Sequence, residues 1–223
     1  MSAPILYIGN KNYSSWSMRP WLALRWAGIA FEERVIPLDG PGYGAQKIAG
    51  VLAVSPSGRV PVLHADGAVI HDSLAICEWA NERAPQAHLW PADRNVRAEA
   101  RSAAAEMHSG FAALRRDLSM NLRRRLEHSP DFPDDTRADL ERLFELWSGL
   151  LARFHGAFLF GERTIVDAMF APVATRLRTY AVSCPPDVQA YCAVIFNDAA
   201  FQDWERAALS ETWTIAKAEA LYR

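Results

Sequence analysis

The stretch Ser55-Pro56-Ser57-Gly58-Arg59-Val60-Pro61-Val62-Leu63-His64 is followed at once by Ala65-Asp66-Gly67-Ala68-Val69-Ile70. Two short runs of branched apolar residues flank Asp66-Gly67, a dipeptide that favours tight hairpin turns. The segment therefore predicts an antiparallel pair over 60–64 and 68–70. Pro61 has no N–H to give to a ladder, which predicts an edge position for its strand. Two states fit the Val60-Pro61 bond. A trans proline opening an edge strand is the commoner. A cis bond, found in about 5–6% of X-Pro cases, would turn the Val60 N–H and C=O outward, where a peptide-like ligand can pair with them.

Upstream of the hairpin, Ile5-Leu6-Tyr7-Ile8 reads as a buried strand, Gly9 to Ser14 as a polar loop, Met18 to Gly28 as an apolar helix ended by glycine, and Phe31 to Pro37 as a second strand. If the helix is a crossover, these two strands run parallel. A Gly/Pro-rich loop at 39–44 leads to a short helix at 45–52. Downstream, 72–83 is a helix capped by Asp72 or Ser73. The order is β-α-β-α-β-β-α. The proline-bounded connector Pro85 to Pro91 marks a composition shift, after which strand signals mostly stop. Helices are predicted over 95–126, 135–155 and 164–180, with shorter ones near 187–196 and 201–209. The expected division is a mixed α/β domain at 1–84, a linker at 85–92 and an all-helical domain at 93–223.

The 223 residues carry a formal net charge of −2, and half of them are hydrophobic. That balance supplies a core and lacks the basic excess expected of a nucleic-acid or membrane-surface partner. The three cysteines, Cys77, Cys184 and Cys192, form no CxxC pair and match no zinc spacing, so reduced thiols and no metal are expected. No apolar run nears the ~18 residues of a membrane span, and the start lacks a basic signal region. A cytoplasmic protein is expected.

Three local patterns bear on chemistry. Ser14-Ser15-Trp16-Ser17-Met18-Arg19 lies where the first loop enters the first helix. A hydroxyl there can cap the helix, or donate to a thiolate that the helix N-terminus also favours. No GxSxG elbow accompanies it. Asp72-Ser73 opens another helix, whose free N–H groups attract a carboxylate, while the Asp72 carboxylate can accept from an ammonium group. Thr164-Ile165-Val166-Asp167 fits a capping box and reads as structural.

Taken in order, SSxSxR, SPxGRVPVL, the Asp72-Ser73 pair and the late capping box resemble the glutathione transferase superfamily over nearly the whole chain. The SSxSxR stretch is most similar to the zeta-type serine transferases, which include maleylacetoacetate isomerase. The resemblance implies a thioredoxin-like first domain, a helical second domain, a cytoplasmic homodimer, and glutathione as co-substrate without a metal. It implies Ser14 as the catalytic residue. Ser15, Gln46, Arg59, Val60, Asp72 and Ser73 would bind glutathione, with Val60 preceding the family's cis-proline. An apolar substrate pocket is expected near Tyr13, Trp16, Met107, Phe111, Leu114 and Arg115. Arg115, Arg116 and Arg123 to Arg125 form either a substrate-facing set or a solvated face. Trp16 departs from the zeta signature, which has cysteine there. Activation of the glutathione thiolate for attack on a small electrophile is the implied reaction. Glutathione-dependent cis-trans isomerisation or dehalogenation is one alternative, and a non-catalytic binding protein another.

Overall fold

The computed structural model describes residues 3–42, 44–45 and 47–222. Strand β1 (Ile5–Ile8) pairs in parallel with β2 (Glu32–Val35), joined by helix α1 (Ser15–Trp26) as the crossover. Strands β3 (Val62–Ala65) and β4 (Ala68–His71) form the hairpin around Asp66 and Gly67, both of which have positive φ. The sheet order is β2-β1-β3-β4, with β1 and β3 antiparallel and Tyr7 opposite Val62. The short α2 (Ala49–Leu52) and α3 (Ser73–Arg83) complete the expected order.

One expectation needs correcting here. β3 is an inner strand, with β1 on one side and β4 on the other. Pro61 avoids a ladder position by standing just before the first paired residue, Val62, rather than by lying at the sheet's edge.

After a 3-10 turn at Pro85–Ala87, the regular structure among the described residues is helical, apart from two isolated β-bridges near Phe158–Glu162. The single long helix expected over 95–126 is instead α4 (Arg94–Ser109), a break, and α5 (Ala112–Asp117), followed by irregular chain to residue 133. The break has a local cause. Gly110 is extended, and a Cβ on it would lie 2.7 Å from the Glu106 carbonyl oxygen. Phe111 then takes φ 51°, and its ring packs edge-on to Phe170 in the core.

Helix α6 (Asp134–Phe154), α7 (Ile165–Thr179), α8 (Pro186–Asn197) and α9 (Ala199–Ser210) follow the predicted ranges closely. The capping box forms. Thr164 accepts from the Val166 amide, and Asp167 accepts the Thr164 amide at 2.7 Å. Helix α7, nearly all buried, packs on both α1 and α4 and ties the two halves into one core. A last short helix, α10 (Ala216–Glu219), had no sequence signal. Among the described residues no helix is long and apolar enough to cross a membrane.

Candidate active site

Helix α1 begins at Ser15, which leaves Ser14 at the N-cap position with φ −84° and ψ 81°. Its hydroxyl makes no capping bond. It donates to Ser17 Oγ at 2.7 Å, and Ser17 Oγ also accepts the Gly9 amide at 3.1 Å. The serine cluster therefore braces the loop internally, and no side chain caps the helix, although the Ser15 and Ser17 amides donate to the Tyr13 and Ser14 carbonyls. Ser15 is turned the other way, its Oγ accepting from Arg176 at 3.0 Å.

The Val60-Pro61 peptide bond is cis. Because β3 pairs only from Val62, the Val60 main chain makes no main-chain hydrogen bond among the described residues. Asp72 has φ 94° and caps α3. Its Oδ1 accepts from the amides of Leu74 at 2.8 Å and Ala75 at 3.5 Å, and its Oδ2 lies 3.1 Å from His108 Nε2. Ser73 is buried, and its hydroxyl has no hydrogen-bond partner among the described residues. A buried hydroxyl without a partner costs roughly 1–3 kcal/mol, so one that points to a ligand explains itself.

A cavity of about 630 Å³ brings these groups together. Tyr13, Ser14, Ser15, Trp16, Arg59, Val60, Pro61, Asp72 and Ser73 all line it. Its further wall is His108 and Ser109, at the end of α4. Gln46 lies outside the described residues. Met107, Phe111 and Leu114 are not on the wall. They are buried in the core behind it, because the break at Gly110 swings Phe111 inward. Arg115 stands one layer back. It donates to the Met107 and His108 carbonyls, and its guanidinium lies 5.5 Å from the Trp16 ring.

Three guanidinium groups lie beneath this cavity. Arg19, fully buried, stacks 4.3 Å from the Trp16 ring, and neither its Nε nor its Nη1 has a hydrogen-bond partner among the described residues. Burial, and then the neighbouring Arg176 and Arg115, lower its pKa to about 9. Burial likewise lowers Arg176, to about 10. The carboxylate acting on Arg19 is Asp72, and the one acting on Arg115 is Asp139. Such a cluster gives the floor of the cavity a positive potential that favours an anion.

The other arginines do different work. Arg123 donates to the carbonyl of Trp213 and to the Tyr13 hydroxyl, and Arg124 to the carbonyls of Leu221 and Tyr222. They hold the C-terminal segment, neither facing substrate nor lying freely solvated. Glu211, from that segment, accepts the amides of Lys11 at 2.6 Å and Asn12 at 3.0 Å, so the C-terminus braces the loop that carries Ser14. Nothing local in the sequence signals this brace or the contact of His108 with Asp72. Cys77 is buried in α3, and burial raises its thiol pKa, as expected of a core cysteine.

Residues 13–83 match the family model described as glutathione S-transferase, N-terminal domain. The chain is 26% identical to maleylacetoacetate isomerase of Rattus norvegicus over 185 residues, which is 82% of each protein. It is 33% identical to maleylacetoacetate isomerase of Pseudomonas aeruginosa over 127 residues, covering 56% of this chain and 58% of that one. Among solved structures, a glutathione transferase homolog from Burkholderia gl BGR1 with bound glutathione superposes with a TM-score of 0.71 at 26% identity, over 94% of this chain and 100% of that one.

Proposed function

Because this chain belongs to the glutathione transferase superfamily, we propose that it activates the glutathione thiol as a thiolate, through Ser14, for attack on a small electrophile. The single observation that carries the reading is a convergence. The Ser14 hydroxyl, the main chain before a cis-proline and the partnerless Ser73 hydroxyl all open on one cavity.

In this reading the extended tripeptide pairs with the Val60 main chain. Its γ-glutamyl carboxylate meets Ser73 at the N-terminus of α3, and its ammonium meets Asp72. Arg59 serves the glycyl end, Gln46 helps bind glutathione, and Ser15 stays a neighbour of the sulfur. Ser14 donates to the sulfur. Lowering a thiol pKa by about two units asks for ~3 kcal/mol of differential interaction. A charge-assisted hydrogen bond and the dipole at the N-terminus of α1, above the buried arginines, are of that order. The thiolate then attacks an electrophilic carbon held beside Tyr13 and Trp16. The proposal includes the division at 85–92, carried by the composition shift there, and a homodimer and a cytoplasmic setting, carried by family resemblance.

A second reaction is favoured by the relatives' names and by the positive floor. The thiolate adds to a conjugated cis carbon–carbon double bond, the resulting single bond rotates, and the thiolate leaves to give the trans alkene. Trp16 makes the space beside the sulfur larger in wall and poorer in thiols than the zeta signature would. Calorimetry with glutathione, followed by turnover of a halonitrobenzene and of a maleyl-type cis-alkene, tests both. Binding with either turnover supports the proposal. Binding without turnover leaves a binding protein, and no binding overturns the reading.

A further inference from the structure

The contact between His108 and Asp72 joins the last turn of α4 to the N-cap of α3, across the cavity wall. We propose that His108 is a positioning residue for the γ-glutamyl end of glutathione, holding the Asp72 carboxylate in the orientation that receives the ammonium group. The proposal rests on the glutathione reading above.

Asp72 needs such a partner. It is a non-glycine residue with φ 94°, which L side chains rarely adopt. Its Oδ1 is committed to the α3 amides. Its Oδ2 belongs to a side chain 44% exposed, and without a second tether it is free to turn toward water. His108 Nε2 supplies that tether at 3.1 Å. An ionised carboxylate has about four acceptor sites, so Oδ2 keeps a lone pair for the ligand's ammonium after accepting from the imidazole.

The imidazole is itself fixed. Its ring meets Trp16 edge-on, with centroids 5.4 Å apart, and its carbonyl accepts from Arg115 at 3.3 Å. Nδ1 is buried with no partner among the described residues, which assigns the ring proton to Nε2, where it is bonded. His108 therefore links the wall beside Trp16 to the acid at the N-cap of α3, and it acts on the tripeptide through Asp72.

The test is the glutathione dissociation constant, with kcat at saturation, for His108→Leu, His108→Gln and Asp72→Asn, each checked for folding by thermal melt. His108→Leu is expected to weaken glutathione binding about tenfold, the scale of losing a hydrogen bond to a charged group, with kcat within about twofold. His108→Gln, which can place an amide N–H near Nε2, restores most of the loss. Adding His108→Leu to Asp72→Asn weakens binding little further. An unchanged dissociation constant in a folded His108→Leu protein, an equal loss in kcat, or a full additional loss in the double variant overturns the proposal. If the wild-type protein takes up no glutathione, the glutathione reading falls as well. If it binds while His108→Leu is silent, only the role of His108 falls.

Discussion

Ser14 Oγ lies 2.7 Å from Ser17 Oγ, and Ser17 is anchored in turn by the Gly9 amide. A hydroxyl gives one hydrogen bond and accepts two, so the pair can reverse. In the proposed reaction, Ser17 would donate to Ser14 when a thiolate arrives, and Ser14 would turn its proton to the sulfur. The free protein thus gives the Ser14 proton an acceptor, and on the proposed reading the bound state would align both hydroxyls toward the anion. Ser17→Ala is accordingly expected to raise the pKa of bound glutathione, by less than Ser14→Ala does. A spectroscopic titration of the bound thiol checks this. An effect of Ser17→Ala equal to that of Ser14→Ala would mean that Ser17 itself touches the sulfur.

Ser73 is expected to separate binding from stability. Its hydroxyl is buried without a partner, so Ser73→Ala should leave the melting temperature unchanged or slightly higher, while weakening glutathione about tenfold. Calorimetry and a thermal melt on the same sample decide it. A large drop in melting temperature would show that the hydroxyl serves the fold.

Glu211 accepts two amides of the loop before Ser14 from nearly 200 residues away in sequence. Glu211→Ala leaves both amides without their acceptor, at about 1–3 kcal/mol, which in a chain of this size lowers the melting temperature by several degrees. Turnover should fall too, because the loop positions Ser14. Melting curves and kcat together check it, and a destabilised variant of unchanged kcat would confine Glu211 to the fold.

Asp167 gives stability a pH dependence. Burial raises its carboxyl from 3.8 to about 6, against the pull of the Thr164 and Leu159 amides and the Tyr191 hydroxyl. Between those values the folded chain holds a proton that the unfolded chain has lost. This contribution is therefore fully present below about 4 and is lost as pH rises through 6, amounting to about 3 kcal/mol. Asp167→Asn removes the titration and weakens the capping box. The wild type should gain more stability than the variant between pH 7 and 4, and parallel denaturation curves would contradict the assignment.

Local chemistry was the legible part. Asp66-Gly67 marks the hairpin, Asp72 caps α3, and Thr164 with Asp167 forms a capping box, because each effect spans only a few residues. Val60-Pro61 marked a cis bond only in the company of the other motifs. What stayed hidden acts through space. Apolar periodicity runs through Met107, Phe111 and Leu114 whether they face a pocket or a core, and one extended glycine at 110 decided between them. His108 and Glu211 act on partners 36 and about 200 residues away, where sequence spacing carries no information. The arginines at 123 and 124 looked like a charged face but are spent on C-terminal carbonyls.

The pKa of the sulfur in bound glutathione tests the role of Ser14 most directly, read from thiolate ultraviolet absorbance in wild type and Ser14→Ala. The expected result is a wild-type value about two units below the free thiol's ~8.5, moving back toward it by at least about one unit in the variant. Equal values in the two proteins would contradict it.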